Sequence, residues 1–211
     1  MKKLFCVLLS VCLLALPMSA SVLADDLNAA PQTQQEETGF LPGSVPADSS
    51  LTDGISLPLT ALALSMLEGG LSYDADSGSF IWNAMYYVLT LFGHEDDRAE
   101  VTERALLLPS ECVQDFFAAL FSRCDTLPAI PAELGSRVSY DPAKDRYALA
   151  LGDLAPADIS LTAPIPTQDG LFLLDGTLTA PADGHVLCSF RAVLEANDTM
   201  FGFSVVDFVF S

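Results

Sequence analysis

The stretch Phe80–Phe92, FIWNAMYYVLTLF, constrains the fold more than any other part of the chain. Phe80, Ile81, Ala84, Met85, Val88, Leu89 and Phe92 keep the i, i+1, i+4, i+5, i+8 rhythm of one helical face, and Trp82, Tyr86 and Leu91 carry apolar surface almost all the way round. A helix that is apolar on every side is buried in a core or spans a membrane. Thirteen residues at ~1.5 Å each reach only ~20 Å, short of the ~30 Å hydrocarbon layer, so a buried helix is expected. Ser77 or Ser79 is placed to cap its start and Gly93 to end it.

Asn83, Tyr87 and Thr90 fall at i, i+4 and i+7 and so share one stripe of that helix. Polar groups in a core meet hydrogen-bond partners or line a wet cavity. The stripe is therefore either a set of structural hydrogen bonds or the wall of a ligand pocket. On the second reading, Asn83, Tyr87 and Thr90 are the candidate ligand-binding residues.

The first 24 residues have the layout of a secretory signal. Lys2 and Lys3 form a basic start, Leu4–Leu16 an apolar run too short to span, and Val22-Leu23-Ala24 a small-residue cleavage site before Asp25. The pattern looks bacterial, and the localisation expected from it is secreted, with no stable membrane anchor. Residues 25–55 read as a flexible linker: Pro31, Pro42, Pro46 and the tract Gln32–Glu37 leave little apolar surface to bury. Residues 56–211 then form a single α+β domain.

Losing Lys2 and Lys3 with the signal takes the formal charge from −19 to −21. Such a surface repels phosphate backbones, so no nucleic-acid partner is expected. It keeps a protein soluble outside the cell, and Ca²⁺ or a basic partner is the sharper use of the charge. Three cysteines remain, Cys112, Cys124 and Cys188, too few for a disulfide framework in a domain of this size. They are expected to act as small buried hydrophobes.

Several elements follow from pattern alone. Leu57–Glu68 reads as a helix capped by Ser56 and stopped by Gly69 and Gly70. Glu100–Leu108 has helix signals in Asp97-x-x-Glu100 and in the Glu100/Arg104 pair, but Leu108 precedes a proline and is pushed toward extended backbone, which tips the segment toward a strand. Ser110 is placed to cap an amphipathic helix carrying Val113, Phe116, Phe117, Leu120, Phe121 and Cys124. From Ser136 the period changes to 2. A hairpin around Asp141–Asp145 is followed by strands near 159–163, 171–179, 185–196 and 199–210. Asn197-Asp198 suits a two-residue turn that would set Leu194 opposite Phe201, and the alternation slips near Val205-Val206, where a β-bulge is expected.

The expected fold class is α+β, with N-terminal helices packed against a curved antiparallel sheet of about five to six strands. Helix, helix, strand or helix, helix and then a run of antiparallel strands is similar in element order, over about residues 56–211, to the cone-like folds of the nuclear-transport-factor-like and cystatin-like type. That resemblance implies a bent sheet closing on a helix, a frame that hosts enzymes and binding modules alike.

Motifs with catalytic chemistry are missing. His94 and His185 stand in no metal-ligand spacing, and no G-x-S-x-G, Walker or G-x-G-x-x-G pattern occurs. Gly70-Leu71-Ser72-Tyr73-Asp74 lacks the second glycine. His185 and Cys188, three apart on a strand, point to opposite faces. Asp74–Gly78 begins like a calcium loop but has Ser79 and Met85 where glycine and glutamate belong. No catalytic residue, resident metal or cofactor is therefore assigned. The expected function is a secreted, acidic, non-catalytic module binding an extracellular protein or small ligand; the alternative is an extracellular hydrolase that uses acidic residues.

Overall fold

The computed structural model describes residues 50–211 other than 153 and 155. The expected signal, and the expected linker up to residue 49, lie outside the described residues. The first helix, α1 (Ser50–Gly69), starts before the expected boundary at residue 56 and carries Pro58 inside it. The reason lies in the spacing of Ile55, Leu59, Leu62 and Met66, which put one continuous stripe into the core; all four are buried.

The second helix, α2 (Gly78–Phe92), is the expected buried helix, with nine of its residues buried. Ser77 is its N-cap, accepting from Phe80 N at 3.3 Å. Gly93 does not end it in a left-handed conformation. Its φ is −61° and the chain runs on through a 3-10 turn, Gly93–Glu95. The glycine suits a close approach, since a Cβ there would lie 3.1 Å from Leu108 Cδ1 and 3.2 Å from Leu106 Cδ2, tighter than ordinary contact.

The strands divide into two antiparallel sheets. β1 (Glu100–Val101), β2 (Ala105–Pro109), β3 (Val138–Asp141) and β4 (Arg146–Ala150) form the first, in the order β1-β2-β4-β3. The segment that was ambiguous between helix and strand is thus a hairpin, and Glu100 pairs with Arg146 at 2.8 Å across the sheet, not with Arg104 along a helix. β2 leads directly into α3 (Ser110–Leu120). Ser110 is the first residue of α3, not its cap. Pro109 occupies the cap position, its hydrocarbon ring offering no side-chain bond; it is still paired with Arg146 in the sheet, and Ser110 N donates to Asp145 O at 3.0 Å. Cys124 lies past the end of α3, and Cys112, Cys124 and Cys188 are all free thiols.

The second sheet contains β5 (Asp158–Leu161), β6 (Ile165–Pro166), β7 (Phe172–Thr179), β8 (Val186–Ala196) and β9 (Phe203–Phe210) in the order β5-β7-β8-β9, with β6 also on β7. The β8–β9 loop is longer than the expected two-residue turn. Asn197 Oδ1 accepts from Thr199 N at 3.0 Å, Asn197 N donates to Gly202 O, and Gly202 takes φ +71°. Leu194 consequently faces Val205 and not Phe201. The shift is an even number of residues, so the core face is preserved. The expected bulge is present: Leu194 pairs with Val205 and Val193 with Asp207, which leaves Val206 without a partner.

Helices and sheets share one core. α1 packs on α2, β5 and β8; α2 touches β4; α3 touches β9 as well as β2 and β4. Among the described residues no helix is long and apolar enough to cross a membrane.

Candidate functional site

The polar groups of α2 are anchored within the scaffold. Asn83 Nδ2 donates to Ser79 O at 2.8 Å, Thr90 Oγ1 donates to Tyr86 O, and Tyr87 Oη donates to Glu68 Oε2 at the end of α1. Burial, reinforced by Glu68, pushes the Tyr87 phenol above its ordinary pKa. Two residues counted in the sequence as apolar surface do the same work: Trp82 Nε1 donates to Pro128 O at 2.8 Å and Tyr86 Oη to Ala150 O at 2.8 Å. An all-apolar helix thereby reaches α1, the loop after α3 and β4 through its aromatic tips, as buried Trp and Tyr require.

A polar hollow lies on the other side of the molecule, on the outer face of the second sheet, with a volume of about 340 Å³. Its construction follows from strand alternation. On β7 Phe172, Leu174, Gly176 and Leu178 are buried, so Asp175 and Thr177 point outward. Register sets Ser160, Thr177 and Ser189 side by side, and Ser211 N bonds Ser189 O at 2.9 Å, which extends the row to the far strand. The neighbouring row holds Thr162, Asp175, Arg191 and Val209. At ~4.8 Å between strands and ~3.4 Å per residue, the hydroxyl row runs about 14 Å across the sheet, about 7 Å from the second row.

The charged pair in this array is bidentate. Arg191 Nε donates to Asp175 Oδ1 at 2.7 Å and Nη2 to Oδ2 at 3.0 Å. The fork of donors holds the Asp175 carboxyl below its usual pKa, so it is ionised at neutral pH. Thr177 Oγ1 and Ser189 Oγ lie 3.4 Å apart. The face offers hydroxyl donors and acceptors beside one fixed dipole, chemistry suited to hydrogen-bonding a polar ligand.

None of Asn83, Tyr87 and Thr90 lines this hollow. Sequence reasoning missed its residues because each is an ordinary outward-facing strand position, and only the register brings the four strands' hydroxyls into one row. Elsewhere, Asp74 Oδ1 accepts from Asp76 N at 3.1 Å and closes the turn before α2. Among the described residues no group of three or more His, Cys, Asp or Glu is gathered as a metal cage would need. His185 pairs with Asp183 at 2.8 Å, not with Cys188.

No protein-family model matches this chain, and comparison with curated proteins and with solved structures found no match.

Proposed function

We propose that this protein is a secreted, acidic, non-catalytic module that binds an extracellular partner or small ligand on the outer face of its second sheet. The observation that carries the reading is the cross-strand row Ser160, Thr177, Ser189 and Ser211 beside the Asp175–Arg191 pair, around one hollow. Such a face recognises hydroxyl or amide groups through directional hydrogen bonds. Binding is favoured over the acidic-hydrolase alternative because Asp175 is the one side-chain carboxylate among the residues lining the hollow. It is tied to Arg191, whereas carboxylate-driven glycoside cleavage uses two such groups roughly 5–9.5 Å apart. At Asn83, Tyr87 and Thr90 one donor each is already engaged, by Ser79 O, Glu68 and Tyr86 O, which leaves less capacity for a ligand than the sheet face offers.

Amide chemical shifts of the exported protein, titrated with neutral oligosaccharides and hydroxyl-rich neutral peptides, test this. Movement confined to Thr177, Ser189 and Arg191, abolished in a T177V/S189V variant that melts like the parent, is the expected result. Equal binding by that variant defeats the reading. Export has its own test, since the secreted chain should begin at Asp25.

A further inference from the structure

We infer that a second, separate site for an oxyanion lies on the solvent face of the first sheet, between Arg104 and Arg137. The described basic residues other than histidine are Arg98, Arg104, Arg123, Arg137, Lys144, Arg146 and Arg191. In a chain with 28 acidic residues, five of these are engaged by carboxylates: Arg98 with Asp96 and Asp115, Arg123 with Glu195, Lys144 with Asp141, Arg146 with Glu100 and Arg191 with Asp175. Arg104 and Arg137 have no ion-pair partner among the described residues. Both line the same hollow of about 170 Å³.

The main chains of the two arginines stand on either side of that hollow. Ala150 N donates to Arg137 O at 2.8 Å and Leu151 N to Arg104 O at 3.1 Å, so their main chains flank β4 on either side. Two strand spacings separate them by about 10 Å. The floor between is small: Ala105, Ala148 and Ala150 alternate with the buried Leu106 and Leu149 and turn their methyls to solvent. Ser136 and Ser139 complete the lining, and no carboxylate does. The guanidinium carbon of Arg137 lies 5.3 Å from the centre of the Tyr86 ring, a cation–π contact with a residue of α2 that does not itself line the hollow.

Two arginines without a carboxylate partner among the described residues, two serines and an apolar floor match one oxyanion group: a sulfate, a phosphate or the carboxylate of a larger ligand. Two arginines suit it because the guanidinium fork matches oxyanion geometry. The chain's overall negative charge does not forbid this. At physiological ionic strength charges beyond ~8 Å are largely screened, so the local pair decides.

The test is a nuclear magnetic resonance titration of the exported protein with sodium sulfate, phosphate and succinate, each against sodium chloride at equal ionic strength. A single saturable isotherm at the amides of Ala105, Ser139, Ala148 and Ala150 is expected. The tightest of the three anions identifies the chemical source. R104Q and R137Q should each weaken binding about tenfold or more, and R123Q, whose guanidinium faces Glu195, should not. R104Q has no contact with Tyr86, so it reports on the site even if R137Q disturbs the fold. No saturable shift at these amides with any of the three, or an unchanged isotherm in R104Q, overturns the proposal.

Discussion

The ring of Phe190 lies directly over Gly176, its cross-strand partner on β7. A Cβ on residue 176 would sit 2.2 Å from Phe190 Cζ. The ring cannot withdraw easily, because its other side stacks on Phe208 with centroids 4.6 Å apart. An aromatic side chain covering a strand glycine in this way pins register. Gly176→Ala should therefore cost about 1–3 kcal/mol in urea unfolding, the range for overpacking. Adding Phe190→Leu to it should recover part of that loss, since the two positions share one space. Strict additivity of the two changes would show that the ring does not carry the penalty.

Buried phenols predict the alkaline limit. Tyr73 donates to Val205 O at 2.7 Å and Tyr87 to Glu68, and burial raises both phenols above their ordinary pKa. The folded state therefore holds protons that the unfolded chain releases near pH ~10. Their contribution is intact below that pH and is lost as pH rises above it. Urea midpoints measured from pH 8 to 11 should fall above ~10, and fall less steeply in Y73F and Y87F.

The acid limb has a different origin. Asp96 receives Arg98 Nε at 2.8 Å, Nη2 at 2.7 Å and the Arg98 amide at 2.9 Å, and these bonds hold its carboxyl well below the usual carboxylate range. Here the unfolded state binds the proton more readily. The stability is present above ~3.9 and is lost as pH falls below it. Asp96→Asn should cost about 1–3 kcal/mol at pH 7, and the loss should vanish at low pH. Burial first and the nearby Asp96 second push the buried Cys112 thiol up to about 12. Alkylation at pH 8 followed by peptide mapping should find Cys112 protected in the native protein and reactive in urea.

Trp82 is the chain's single tryptophan, fully buried and bonded to Pro128 O. Its emission should be blue-shifted in the native state and move to the red in a single step that coincides with loss of far-ultraviolet ellipticity. Trp82→Phe should destabilise by about 1–3 kcal/mol, since it leaves the part-buried Pro128 carbonyl unpaired and a void where the larger ring packed. Two separated transitions would mean that the core around α2 does not melt with the sheets.

What the sequence made legible was what depends on local period. The buried α2, its Ser77 cap, the strands after Ser136 and the bulge near Val206 all follow from spacing along one segment. What it hid depends on partners far along the chain. The polar tips of Trp82 and Tyr86 counted as apolar surface until Pro128 and Ala150 were seen beside them. The Asn197 turn misled because an Asx turn and a two-residue hairpin begin with the same residue, and Gly202 was needed to tell them apart. The hydroxyl row has no signature in any single strand, because Ser160, Thr177, Ser189 and Ser211 meet only through register.

The unpaired Val206 has a consequence for how this strand tolerates sequence change. Phe203 and Val205 reach the core before it and Phe208 after it, while Asp207 stays in water. Removing Val206 would restore regular pairing and leave every neighbour on its present side. Removing Asp207 instead, with the bulge retained, would turn the segment after it over and put the Phe208 ring on the solvent face. A strand that looks uniformly intolerant thus has one silent deletion, the loss of one of its two adjacent valines, and lineages that shorten it should lose that residue.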